Sequence, residues 1–218
     1  MRAIPLWSLT ALSLAAALVL TPNVAHAQER SDTAATITTI TMVAGAATVT
    51  LMPRIFYSDP ETTVGWKARW HLSILTPSLA NVTLTLLNEH ALKDAIRSPR
   101  PGCDETNQGT GRCQDFGSLS SHTFLAASAF GQGTAIFLSD MFRWNDGRFN
   151  VGSFLGNVAF PLVFAGVTAV GRAAGDWEDG GTVALSGVTG LVTGGVIGLG
   201  YALLQRPECG YTGSLVCW

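Results

Sequence analysis

The sequence predicts an all-α protein, a bundle of five to six helices that we expect to be embedded in a membrane. Of its 218 residues, 47% are hydrophobic and only 13% are charged, whereas ordinary globular domains carry about 25% charged residues. A formal charge of −2 lacks the basic surplus of a nucleic-acid binder and excludes that class. Charged residues are absent from five stretches, at 33–53, 71–88, 116–139, 151–171 and 180–205.

Residues 1–27 have the pattern of an export signal. Arg2 gives a short positive start, residues 4–20 are apolar, and Ala25-His26-Ala27 fits a cleavage site. Cleavage would leave 28–218 as a single helical domain, and an uncleaved segment would instead form a first membrane helix. With either reading the chain is translocated, and its segments outside the cytoplasm can hold disulfides.

Each charge-free stretch is long enough to be one helix of the bundle. A helix of about 21 residues measures about 31 Å, close to the roughly 30 Å hydrocarbon core of a bilayer. Small residues recur at four-residue spacing at Gly190, Gly194 and Gly198, and at Gly152 and Gly156, which lets helix backbones approach closely. A glycine-rich helix buried in a soluble bundle is the alternative reading.

The segments between the stretches differ in charge. With a cytoplasmic N-terminus, the positive-inside tendency places most basic segments inside, and 93–115 and 172–179 then lie together on the outer side. The basic residues predicted to face inward are Arg54, Lys67, Arg69, Arg143, Arg148 and Arg206.

The four cysteines form two close pairs. Cys103 with Cys113, and Cys209 with Cys217, have spacings that fit no zinc pattern, and neither pair has a histidine nearby. We therefore expect two local disulfides, no metal site and no cofactor. If the second pair lay at a cytoplasmic C-terminus its disulfide would not persist, which favours a soluble periplasmic domain as an alternative.

Two of the outward segments carry candidate anion-binding residues. Lys93, Arg97 and Arg100 are three cations within eight residues, and arginine forks with lysine point charges suit an anion with several oxygens. Arg172 directly follows the fourth stretch and precedes three acidic residues, Asp176, Glu178 and Asp179. A solvated basic loop and an interfacial arginine paired with those acids are the plainer readings.

A third candidate lies where the helix of the third stretch begins. Ser120 and Ser121 precede His122, and serine hydroxyls with free amides at a helix N-terminus can bind an anion. His122 could act there as a general acid. A serine cap with an incidental histidine is the alternative.

These residues, in this order, resemble the type 2 phosphatidic acid phosphatase (PAP2) superfamily, which includes bacterial acid phosphatases. The family pattern is K-x6-R-P, then P-S-G-H, then S-R-x5-H-x3-D. Lys93 with Arg100-Pro101 matches the first motif completely, and Arg172 matches the third, with Gly171 in the serine position. The agreement in order and helical context extends over about residues 70 to 205.

The second motif matches in part. Ser120 and His122 stand in their places, while Leu119 replaces proline and Ser121 replaces glycine. The resemblance implies that His122 protonates a leaving group and that a third-motif histidine attacks phosphorus. It also implies a phosphate cradle, for which we expect Lys93, Arg100, Ser120, Ser121 and Arg172.

The third motif lacks its histidine. Counting from Arg172 places Glu178 at that position, while alignment on Trp177 places Asp176 there after a two-residue deletion. Either carboxylate opposes the positive field that holds phosphate, and either could in principle form an aspartyl-phosphate-like intermediate.

Three functions remain open from sequence. The first is a membrane-embedded phosphatase with an extracytoplasmic site, hydrolysing a lipid phosphate or another phosphomonoester. The second is a catalytically inactive protein of the same fold that binds a phosphate-bearing ligand or is structural. The third is a soluble periplasmic acid phosphatase-like protein.

Overall fold

The computed structural model describes residues 32–52, 54–56, 67–69, 72–100, 103, 113 and 119–205. The predicted export signal at 1–27 and the pair Cys209 and Cys217 lie outside these residues. Within them the chain is helical, as predicted, apart from a two-stranded antiparallel ribbon of β1 (Arg54–Phe56) and β2 (Lys67–Arg69). The sequence did not predict this ribbon.

Five long helices make up the described bundle. The first is α1 (Asp32–Leu51), and α4 (Ser121–Arg143) lies at the centre of the chain. The last is α7 (Gly180–Leu204). The other two contain π-helical turns: α2 (Leu75–Leu87) continues through Asn88–Leu92 into α3 (Lys93–Ile96), and α5 (Val151–Phe154) continues through Leu155–Ala159 into α6 (Phe160–Ala174).

Side-chain caps fix where three of these helices begin. Ser120 accepts from the Thr123 amide before α4, and Asp179 accepts from the Thr182 amide before α7. Asn150 does the same for α5. Asparagine, aspartate and serine are preferred there because their oxygens satisfy amides that have no partner in the first helical turn.

The seam between α4 and α7 is built from glycine. A Cβ at Gly194 would collide with the carbonyl oxygen of Ser128, and one at Gly198 would lie 2.5 Å from that of Gln132. Gly190 and Gly131 meet the facing backbone in the same way. The predicted close approach at Gly190, Gly194 and Gly198 is confirmed. Of the other predicted pair, Gly156 lies tightly against Met52, while Gly152 meets only the side chain of its neighbour Asn150.

The helix α2 buries polar side chains and exposes most of its leucines. Asn81 and Thr85 are buried, whereas Leu79 is 62% exposed and Leu86 is 53% exposed. Asn81 donates to the amide oxygen of Gln132 on α4 at 2.6 Å. A helix of a water-soluble protein has the opposite arrangement.

Candidate functional site

The start of α4 is held rigidly by its neighbours. Ser120 is fully buried, and its amide donates to the hydroxyl of Ser186 on α7 at 2.6 Å. Its own hydroxyl lies 3.0 Å from that of Thr123. The serine predicted to bind phosphate is therefore fixed between two helices.

The π-helical turn brings Asn88 and Lys93 to the same side of their helix. Residues five apart lie on different sides of a regular α-helix, which has 3.6 residues per turn, but an i→i+5 turn brings them close to alignment. Both side chains are buried. The Asn88 amide donates to the Ser121 hydroxyl at 2.7 Å, which joins this turn to the first residue of α4.

Lys93 is paired with Glu89, a residue that the sequence analysis did not select. The ammonium of Lys93 forms an ion pair with the Glu89 carboxylate, and the Ser121 hydroxyl donates to the same carboxylate oxygen at 2.5 Å. The i,i+4 spacing of Glu89 and Lys93 was the available signal, because such residues are neighbours on a helix surface.

Arg172, at the end of α6, is paired with Glu178. Its Nε lies 3.1 Å from Oε2 and its terminal nitrogen 2.8 Å from Oε1, so both carboxylate oxygens are bound by one guanidinium. The two side chains are 5% and 6% exposed. The guanidinium also lies 5.1 Å from the ring centre of Trp177.

The turn that carries Glu178 determines which acid reaches Arg172. Asp176 has φ 54°, a left-handed conformation that is uncommon for a residue other than glycine, and the amides of Trp177 and Glu178 fold back onto the Arg172 carbonyl at 3.2 and 3.4 Å. The turn thus directs Glu178 inward, while Asp176 stays partly exposed. Of the two candidate carboxylates, Glu178 is the one that contacts the predicted cradle.

Glu178 is held in its charged form. Burial alone raises the pKa of its carboxyl, but the hydrogen bonds and charge of Arg172, with a hydrogen bond from Ser120 and the charge of Lys93, bring that pKa below its ordinary 4.5. Hydrogen bonds to the ionised form and a nearby positive charge both favour ionisation.

His122 lies among these charged groups. Arg172, Glu178, Glu89 and Lys93 are all close enough for their charges to act on its imidazole. Its Nε2 is 3.2 Å from the hydroxyl of Thr39. The helix α1 therefore supplies a contact to the site that the sequence analysis missed, because Thr39 is 83 residues away in the chain.

Arg100 reaches the same group of residues from the loop after α3. It is buried, and its charge acts on Glu89. The carbonyl of Arg100 accepts from the amide of Cys103 at 2.9 Å, and Cys103 is joined to Cys113 by the predicted disulfide.

The candidate site is partly neutralised by the chain itself. The predicted phosphate-binding residues lie together, but two of their cations already have a carboxylate partner, Glu89 for Lys93 and Glu178 for Arg172. With a neutral His122, these two acids and the cations Lys93, Arg100 and Arg172 leave one net positive charge. An arriving anion would have to compete with carboxylates held at very short range.

Comparison with known proteins does not assign a family. No family model matches the chain, and neither a curated protein nor a solved structure matches it. The resemblance to the PAP2 superfamily therefore depends on the motif residues alone.

Proposed function

We propose that the protein is an exported, membrane-embedded helical protein of PAP2-like design that does not hydrolyse phosphate esters. The main observation in support of this proposal is the bidentate ion pair between Arg172 and Glu178. Glu178 lies at the position where the PAP2 pattern has the attacking histidine. Its carboxylate is bound by Arg172, the arginine that would otherwise hold the phosphate. Its role on this proposal is to complete a buried polar cluster that joins α3, α4 and the turn after α6.

Membrane embedding is supported by the distribution of apolar side chains. Three helices, Asp32–Leu51, Val151–Ala174 and Gly180–Leu204, are long and apolar enough to cross a bilayer. Along the middle of α7 the buried residues are Gly190, Gly194 and Gly198, while Val192 and Val196 are 59% and 67% exposed. Together with the outward leucines of α2, these side chains give a surface that suits lipid rather than water. The disulfide between Cys103 and Cys113 is compatible with export.

A soluble periplasmic protein would need these side chains to face water. Carbonate extraction of isolated membranes tests this alternative: we expect the protein in the pellet, and its release into the supernatant would contradict embedding. Labelling of a single introduced cysteine in segment 172–179 from the outside of intact cells would test the predicted orientation.

The absence of turnover is supported by the state of Glu178. A nucleophile must offer a lone pair to phosphorus, but Arg172 donates to both carboxylate oxygens of Glu178. Lys93 is similarly held by Glu89. Electrostatic stabilisation of a transferring phosphoryl group needs cations that are free to meet it.

The experiment is a phosphate-release assay on purified protein in detergent and in lipid nanodiscs. Phosphatidic acid and a soluble aryl phosphate serve as substrates, and wild type is compared with His122→Ala and Arg100→Ala. We expect all three to release phosphate at the background rate. A wild-type rate that exceeds background and falls in both variants would contradict the proposal.

Hydrolysis of a lipid phosphate or another phosphomonoester is the second candidate, and the position of His122 favours it. The imidazole lies near Arg172 and Lys93 and contacts Thr39, and the negative charge of a bound phosphate ester would favour the protonated form that a general acid needs. Attack would then fall to Glu178 or Asp176. Turnover that disappears in Glu178→Gln or Asp176→Asn, with the fold intact, would establish this candidate.

A further inference from the structure

We infer that Glu178 is the site's own ligand: its carboxylate fills an oxyanion-binding position, and withdrawing it opens that position to a phosphate-monoester or orthophosphate group. This inference rests on the proposed function, because it takes the cluster to be an anion site that the chain itself occupies. It identifies Glu178 as the occupant, a phosphate group as the competing ligand and movement of the turn after α6 as the way in which one replaces the other.

The contacts of Glu178 are those of a bound oxyanion. The arginine fork binds two oxygens in one plane, the geometry that carboxylates and phosphates share. Ser120, the cap of α4, lies near enough to the same carboxylate to lower its pKa, and the charge of Lys93 acts on it as well. Arg172 and Ser120 are 4% and 0% exposed, so the position is enclosed and built from buried polar groups.

The occupant is attached to the part of the site that can move with least disruption. Glu178 lies in the short turn between α6 and α7, outside both helices. The turn is held to α6 by long amide contacts, from Trp177 and Glu178 to the Arg172 carbonyl and from Asp176 to the Ala173 carbonyl at 3.3 Å, and it contains the left-handed Asp176. Arg172 and Ser120, by contrast, are fixed at helix ends. Displacing Glu178 therefore requires a rearranged turn and leaves the helix packing in place.

The test compares phosphate binding by wild type, Glu178→Gln and Glu178→Asp in detergent. Inorganic phosphate is titrated against chloride at constant ionic strength, and binding is followed by calorimetry and by the shift in unfolding temperature. We expect at least tenfold tighter binding in Glu178→Gln than in wild type, because the amide is a weaker partner for Arg172 than the carboxylate. Glu178→Asp, which retracts the charge by one methylene, should lie between them and covers the case in which the glutamine variant does not fold.

Glu89→Gln is the matched control, since it removes the same charge from the same cluster but uncovers the point charge of Lys93 instead of the two-oxygen fork of Arg172. The inference is overturned if Glu89→Gln gains as much phosphate affinity as Glu178→Gln, if wild type already binds as tightly, or if no folded Glu178 variant binds inorganic phosphate or phosphatidic acid more tightly than wild type does. These outcomes concern binding alone, so they are separate from the phosphate-release assay, in which turnover by wild type would contradict the proposed function.

A second arm identifies the source of the phosphate group. Nanodiscs of phosphatidylcholine with and without phosphatidic acid replace the free anion. If Glu178→Gln binds phosphatidic acid more tightly than wild type but not inorganic phosphate, the ligand is a lipid headgroup. If it binds inorganic phosphate more tightly, the ligand is soluble. Both results support the inference. No gain in either arm counts against it.

Discussion

The two regions that hold α4 in place use opposite physical means. Along its middle, α4 meets α7 through glycines, with backbone against backbone and no charge. At its start, α4 is joined to its neighbours by a cluster of buried ions and hydroxyls around Ser120, Ser121 and His122.

The difference shows what each kind of contact requires. The glycine seam needs only the absence of side chains, so it depends on shape and is insensitive to pH. The ionic cluster needs every charge to have its partner, because an unpaired buried charge is costly. Substitutions that add volume should therefore destabilise the seam, and substitutions that remove a charge should destabilise the cluster. Three predictions separate the two.

The largest effect is expected for Gly194→Ala. The added methyl collides with the carbonyl of Ser128, and no side-chain rotation relieves a collision with backbone. We expect loss of the folded bundle, beyond the roughly 1–3 kcal/mol of ordinary overpacking. Gel filtration in detergent and thermal unfolding measure it.

Gly200→Ala is the control for this prediction, because an added Cβ there meets nothing within 4 Å in the same helix. It should stabilise α7 by up to about 1 kcal/mol. Equal behaviour of the two variants would show that the seam is not the constraint.

The next effect is expected for Arg172→Met, which leaves Glu178 buried without its cation. We expect a loss of about 3–5 kcal/mol in the free energy of unfolding. The double variant Arg172→Met with Glu178→Leu replaces both charges and should cost clearly less. Thermal or denaturant unfolding of all three proteins measures the coupling, and a double variant at least as unstable as the single one would contradict the pairing.

The smallest effect is the acid sensitivity of the cluster. The folded-state pKa of Glu178 lies below its ordinary 4.5, so its contribution to stability is complete above about pH 4.5 and is lost as the pH falls through the lower folded value. We expect the unfolding temperature of wild type to fall more steeply below pH 4.5 than that of Glu178→Gln. Parallel curves would show that Glu178 adds no acid sensitivity.

The sequence by itself determined the parts that depend on local spacing. Charge-free stretches predicted the helices, four-residue glycine spacing predicted the seam of α7, and the short separation of Cys103 and Cys113 predicted their disulfide. In each case neighbouring residues along one helix or loop carry the whole signal. The motif residues also predicted a set of cations and hydroxyls that lie near one another in the fold.

Only the tertiary structure decided how those groups are paired. Asp176 and Glu178 were equal candidates in the sequence, and the left-handed turn selects Glu178 because it directs that side chain toward Arg172. Thr39 reaches His122 from another helix. Such contacts depend on where separate segments meet and on the path of a turn, and the spacing of residues along the chain encodes neither. The pairing, in turn, determines whether the cations of the site remain available to a ligand.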